Sequence, residues 1–321
     1  MNESFQKINL MNEAQNTESI KRATQTYWIG VIMLIIANVG FSFKAITIKL
    51  LYRYHLDTVS VIGLRMLFSL PIYVGVLLWL RTQKNAPSLS SGDVLKISGL
   101  GVLSYYVSSM LDFLGLQYIS ASIERLVLFT YPTMVVLISF LFLEKKIKRY
   151  QVFALIITYV GVVIAFVAER GLGDQKNFLL GASLVFGCAI TYSVYVVGTG
   201  EMVQRIGSIR FSAIAMIGAT IPALIHNYFS NGLNLFQFSP DVYKLTVSLV
   251  FVSTVIPIFL IVEGIRRVGS TTSSLIGFIG PVSTIYFAYI FLGEHVTFLQ
   301  MVGTVIVIYG IYTVSRRSYK L

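Results

Sequence analysis

Three observations predict an all-α polytopic membrane protein with ten transmembrane helices arranged as two inverted five-helix repeats. First, 55% of the 321 residues are hydrophobic and only 12% are charged, half the ~25% charge of an ordinary soluble domain. Second, the sequence divides into ten apolar runs at 27–50, 58–80, 94–116, 121–143, 150–168, 178–199, 208–228, 243–265, 271–292 and 297–315. Each is near the ~20 residues that a helix needs to span the hydrocarbon core. Third, a stretch of the first half returns 149 positions later without gaps. Gly115 then meets Gly264, Leu126 meets Leu275, Phe129 meets Phe278 and Pro132 meets Pro281. Phe142–Leu143 meets Phe291–Leu292, Gln151 meets Gln300 and Gly161 meets Gly310. Apolar matches arise between any two membrane segments, but Pro, Gly and Gln in one register point to duplication.

The elements follow in order. Residues 1–26 are polar and lack an apolar core, so they read as a loose cytoplasmic tail rather than a signal peptide. The first repeat covers 27–168, the polar segment Glu169–Asn177 divides the halves, the second repeat covers 178–315, and 316–321 form a short cytoplasmic tail. Pro71, Pro132, Pro222, Pro257 and Pro281 interrupt apolar runs, which is tolerated where neighbouring helices satisfy the freed backbone groups. With the N-terminus inside, 17 Lys and Arg residues fall in inner loops and tails, among them Lys84, Lys145, Lys146, Lys148, Arg149, Arg205, Arg266, Arg267 and Lys320. Five fall outside, namely Lys49, Arg53, Arg170, Lys176 and Lys244. The positive-inside bias therefore places both termini in the cytoplasm of a cell-membrane protein. Five spans per half is odd, so the second half is upside down relative to the first. The basic loop after the fourth span accordingly has as its outer counterpart Glu294, His295, Thr297 and Phe298, without Lys or Arg.

Several segments resemble one known family. Phe41–Leu50 (FSFKAITIKL) is similar to its first helix with a lysine, and Gly63–Pro71 (GLRMLFSLP) to its second helix with an arginine near the outer end. The segment Phe291–Glu294 (FLGE), preceded by Pro281 and followed by Gln300 and a Gly-rich last helix, carries the strongest likeness. On these motifs the chain resembles the drug/metabolite transporter superfamily in its EamA branch. In the first half FLEKK stands in place of FLGE, so no symmetric role for Glu294 follows. The resemblance implies two helical bundles around a central cavity and alternating access by a uniporter, exchanger or proton-coupled carrier. It implies no particular substrate.

Charges inside membrane helices cost several kcal/mol unless paired or hydrated, so each marks a candidate site. Lys44 and Arg65 lie within the first two spans, Asp112 near the outer end of the third, and Glu124–Arg125 at the start of the fourth. Three cations and two carboxylates can pair and leave one cation for a ligand carboxylate or phosphate. The alternative for Asp112, Glu124 and Arg125 is a set of headgroup-wetted helix ends joined by structural salt bridges. Asp112 and Glu124 are the candidates for a coupling proton. Tyr131 and Gly280 sit at equivalent places beside Pro132 and Pro281, which act as cavity-lining hinges or as simple packing kinks. Tyr105, Tyr106, Tyr192, Tyr195 and Tyr286 are packing residues, or hydroxyls and ring faces for a substrate. Glu263 reads as an inner-end partner of Arg266 and Arg267. The substrate-binding set is thus Lys44, Arg65, Glu124, Arg125, Tyr131 and Gly280.

Other function classes fit less well. One cysteine, Cys188, and three scattered histidines supply neither a disulfide framework, a metal cluster nor a nucleophile–base pair, so no metal, cofactor or catalytic residue is expected. The net charge of +11 is scattered over short loops rather than striped on one face, which speaks against nucleic acid. The glycine fragments Gly171–Gly173 and Gly198–Gly200 lack the strand–turn–helix setting of a nucleotide loop. The expected partners are a small-molecule substrate and the lipid bilayer, with a monomer or homodimer as the assembly. The leading reading is a secondary transporter of a small metabolite such as an amino acid or organic anion. A non-transporting receptor or scaffold, or a membrane-embedded enzyme, is the alternative.

Overall fold

A computed structural model describes residues 2–82, 89–167, 177–277, 279–293 and 298–319, and among these all regular structure is helical. The expectations that concern Lys84, Arg170, Gly171–Gly173, Lys176, Phe278, Glu294, His295, Thr297 and Lys320 lie outside the described residues. The first helix, α1, runs Asn2–Arg53, so the polar segment expected as a loose tail instead continues the first span. No Gly or Pro interrupts residues 2–26, and nothing in that stretch stops a helix from propagating backwards out of the apolar run.

Among the described residues, seven helical stretches are long and apolar enough to cross a membrane: Thr24–Arg53, Thr58–Arg81, Ser91–Tyr118, Phe178–Ile206, Ser208–Asn231, Pro240–Val268 and Ser270–Phe291. The other three expected runs are helical as well. The fourth is a pair, α5 (Ala121–Leu128) and α6 (Tyr131–Leu143), the fifth is α7 (Arg149–Val167) and the last is α14 (Phe298–Tyr319). Large apolar side chains such as Phe142, Leu179 and Phe229 point outward, as a lipid-facing surface requires.

Local chemistry sets the helix ends. Asp57 caps α2 (Thr58–Arg81) by accepting from the Ser60 amide, and Ser90 caps α3 (Ser91–Gly101) by accepting from the Asp93 amide. α8 (Phe178–Ile206) ends at Gly207, with φ 84°, and Ser208 opens α9 (Ser208–Asn231) directly after it. Only glycine takes that backbone conformation freely.

Two irregularities recur at the duplication spacing. The helix through α3 widens into π-helical turns at Val102–Ser108 before α4 (Ser109–Tyr118). α10 (Pro240–Val250) widens likewise at Phe251–Val255 before α11 (Ile256–Val268). The two π stretches begin at 102 and 251, 149 residues apart. The gap between α5 and α6 is matched by the one between α12 (Ser270–Ile276) and α13 (Ile279–Leu292). Pro132 and Pro281 sit in the opening turns of α6 and α13, where a missing N–H costs nothing. They start new helices rather than kink continuous ones.

Packing recurs in the same way. α7 lies along α14 and α2 along α9, while α1 packs on α11 and α13 as α8 packs on α4 and α6. Where α7 meets α14 the contact is reciprocal. A Cβ on Gly161 would stand 2.7 Å from the Gly303 carbonyl oxygen, and one on Gly310 2.4 Å from the Thr158 methyl. Both glycines permit close backbone approach.

Candidate functional site

Helices of both halves enclose a cavity with about 670 Å³ of space between atoms, counting the part open to solvent. Its charged wall comes from the first half. The three basic residues that the charge census leaves inside helices, Lys44, Arg65 and Arg125, all line it, together with Asp112. Asp112 and Glu124 are fully buried, and Arg65 and Arg125 are 4% and 5% exposed. They are therefore interior groups rather than helix ends wetted by headgroups.

The charges are held in place by named contacts. Lys44 Nζ pairs with Asp112 Oδ2 at 2.5 Å. Arg65 Nη2 donates to the Tyr105 carbonyl at 2.7 Å and to Ser109 Oγ at 2.9 Å. Both Lys44 and Arg65 lie over the Phe113 ring, 5.6 and 5.1 Å from its centroid, a cation–π platform. Arg125 donates from Nη2 to the Phe41 carbonyl and sits 3.4 Å from Glu124. The buried Asp112 and Glu124 carboxyl groups interact electrostatically with one another. Arg65 Nε, Arg125 Nε, Asp112 Oδ1 and both Glu124 oxygens have no other hydrogen-bond partner. Three cations thus face two carboxylates, with donors left unused.

The backbone irregularities explain how these groups reach one space. The π stretch in the third span turns Ser104, Tyr105 and Ser108 toward the cavity, and the π stretch in the eighth span turns Ser253 and Thr254 toward it. Such wide turns concentrate at functional sites. The break after α5 lets Phe129 and Tyr131 face inward. Tyr131 packs edge-on to Tyr192 at 5.2 Å, Tyr192 stacks on Tyr195 at 6.0 Å, and the Tyr195 and Tyr105 hydroxyls are hydrogen-bonded to each other. The result is an aromatic and hydroxyl lining beside the charges, with Tyr195 behind it.

Of the expected binding residues, Lys44, Arg65, Arg125 and Tyr131 line the cavity. Glu124 is buried next to Arg125 and is not among the lining residues. Gly280 is not among them either; it gives room to the Phe129 ring, and its carbonyl accepts from Ser42 Oγ at 2.9 Å. Pro132 and Pro281 stand behind the lining. Gly277 makes space for Tyr131, whose hydroxyl donates to the Ser274 carbonyl at 3.1 Å. Tyr286 is exposed on the outer surface and Tyr106 donates to or accepts from His226 Nδ1 at 2.8 Å. Glu263 binds Arg266 and Arg267, as expected. Asn38, Ser104, Ser108, Ser109, Ser253 and Thr254 were not anticipated. Only one signal in the sequence marks any of them: Ser104 and Ser253 stand 149 residues apart.

Comparison with known proteins agrees with this architecture. The EamA-like transporter family model matches twice, at residues 28–167 and 179–316. An uncharacterized transporter of Bacillus subtilis, YcbK, is 30% identical over 85% of this chain and 88% of its own length. Another from that organism, YdfC, is 27% identical over 72% and 73%. An uncharacterized transporter of Archaeoglobus fulgidus is 23% identical over 90% and 99%. A solved crystal structure shares the fold at a TM-score of 0.67 and 14% identity, covering 91% of this chain and 98% of its own. A multi-pass helical protein whose two halves each match the same model over most of their length, this chain belongs to the EamA-like transporter family.

Proposed function

We propose that the protein is a secondary active transporter that moves a small metabolite with an anionic group, such as an amino acid or organic anion, by alternating access. The observation that carries this reading is the excess of cations over carboxylates in the cavity lining, Lys44, Arg65 and Arg125 against Asp112. Arg65 or Arg125 would take the substrate's carboxylate or phosphate, since a guanidinium presents two parallel donors to such a group. The hydroxyls of Ser104, Ser253 and Thr254 and the faces of Tyr131 and Tyr192 would select the remainder. Asp112 and Glu124 would carry the coupling proton: two facing carboxyls can hold one between them, and a cation arriving or leaving at Lys44 changes that balance.

The arrangement proposed is ten spans in two inverted five-helix repeats, with both termini cytoplasmic. The reciprocal packing of the halves and the paired π stretches support it. The gaps after α5 and α12 are the places where each half would flex.

Solute counterflow in proteoliposomes tests the reading. Labelled amino acids, organic anions, amines and nucleotides are offered in pools. Accumulation of one pool, abolished by Arg65→Gln with folded protein retained, is the expected result; no accumulation from any pool would count against a transporter of these classes. Cysteine labelling tests the inversion: position 146 should react from inside and 295 from outside, and reaction of both from one side would overturn it.

A further inference from the structure

A second pocket, with about 630 Å³ of space between atoms counting the part open to solvent, lies away from the central cavity at the end of α6. Glu144 closes that helix in the left-handed conformation, φ 53°, and the Lys145 amide donates back to the Ser139 carbonyl at 3.1 Å. This helix-ending turn folds the loop 145–148 back over the helix end. Lys145, Lys146 and Lys148 then line the pocket with Ser139, Gln151 and Thr271. Its floor is Ser139, 3% exposed, whose hydroxyl has no hydrogen-bond partner. A serine within a helix ordinarily returns its proton to a carbonyl one turn back, so a buried hydroxyl left free in a pocket lined by three lysines points to an acceptor from outside the chain.

The rest of the pocket suits an anion. α7 begins at Arg149 beside it, and the amides of Gln151 and Val152 donate to the Lys148 carbonyl, which ties the loop to the helix start. Gln151 fixes the loop by accepting from the Lys148 amide at 3.0 Å. Lys145 pairs with Glu201 across the halves, whereas Lys148 lies over the Tyr150 ring and Lys146 has no ion pair or hydrogen bond among the described residues. The site sits between the end of α6 and the start of α7. Below it Leu137, Phe140 and Leu141 present an exposed apolar flank.

We propose that this pocket binds a phosphate group, held by Lys146, Lys148 and the Ser139 hydroxyl. The same chemistry is offered by the headgroup of an anionic phospholipid and by a free phosphate. The site is separate from the central cavity, so it stands or falls independently of the transport reading.

Native mass spectrometry of the delipidated full-length protein tests it, with phosphatidylglycerol or phosphatidylcholine added back. One phosphatidylglycerol should be retained preferentially. Retention should drop about tenfold or more in Lys146→Gln/Lys148→Gln, and less in Ser139→Ala. Arg81→Gln/Lys96→Gln, which removes two exposed charges elsewhere, should leave it unchanged, and matching melting temperatures in phosphatidylcholine confirm that the variants fold. Inorganic phosphate alone distinguishes the source. If it displaces the lipid and raises the melting temperature of the wild type but not of the double lysine variant, the ligand is a free phosphate; if only the lipid acts, it is the headgroup. Equal retention by wild type and double variant without phosphate protection, or an equal loss in the control pair, would overturn the proposal.

Discussion

The first half of the chain buries Arg65, Asp112, Glu124 and Arg125 and largely encloses Lys44, and the second half carries no charge at the matching positions. The halves align at a spacing of 151 through the first two spans (Pro71 to Pro222) and 149 thereafter. On that alignment the five charges correspond to Tyr195, Met216, Ile261, Ser273 and Ser274. The backbones are alike where the side chains are not: both halves have a π stretch in the third helix and a gap in the fourth. Backbone geometry is thus common to both halves, and the charge that lines the cavity belongs to one. The cavity consequently takes its charged lining from the first half, while hydroxyls and rings come from both.

Five experiments sharpen or break this contrast. The largest effect is expected for Asp112→Leu, which leaves the Lys44 ammonium buried without its partner and should cost ~3–5 kcal/mol. Adding Lys44→Met should recover most of the loss, whereas Ile261→Leu, the matching site, should cost less than ~1.5 kcal/mol. Thermal unfolding in detergent reads all three. If Asp112→Leu melts like wild type, the charged wall has no structural part.

Next comes transport. Arg65→Gln and Arg125→Gln should each lower counterflow roughly 10- to 150-fold at constant abundance, the equivalent of a lost charged hydrogen bond. Met216→Leu should stay within about twofold, as expected of a volume-conserving change. Equal losses at both kinds of position would remove the asymmetry.

The third experiment addresses a place where the halves agree. Gly161→Ala and Gly310→Ala should each cost ~1–3 kcal/mol, by forcing apart the α7–α14 contact. Clearly unequal costs would argue against a symmetric pairing. The exposed Lys145–Glu201 pair is expected to matter less, with Glu201→Gln changing stability by under ~1 kcal/mol.

The smallest effect is at the Asp57 cap. Burial on its own would raise this carboxyl, but hydrogen bonds from the Ser60 hydroxyl and amide and from Asn231 outweigh it and hold the group below the usual carboxylate range. A carboxyl depressed by folding stabilises above its unfolded value and loses that contribution as pH falls through its folded value. Wild type should therefore lose slightly more stability than Asp57→Asn as pH falls below the usual carboxylate range. Parallel curves would show that the cap contributes nothing through its charge.

Much of the site was legible before folding. Lys44, Arg65 and Arg125 stood out because they are the basic residues that loop topology does not explain, and all three reach the cavity. Pro132 and Pro281 marked where the fourth and ninth spans divide. Glu124 and Gly280 were drawn into the expected site by adjacency in sequence, but one is packed behind Arg125 and the other makes room for Phe129. Ser109 and Thr254 gave no warning, since small hydroxyl residues are common in membrane helices and only the π turns set which way they face.

The sequence by itself determined the helical membrane class, the duplication, the family and the unusual placement of five charges. Each of these is written in local composition and spacing, which bilayer thickness and the cost of burying charge make readable. Only the tertiary structure decided which charges pair, which side chains share one cavity, and that Ser139 faces a basic pocket without a partner. Those facts depend on the rotation of each helix about its axis. A helix in an apolar solvent has little one-sided periodicity to reveal that rotation, and contacts with distant helices fix it.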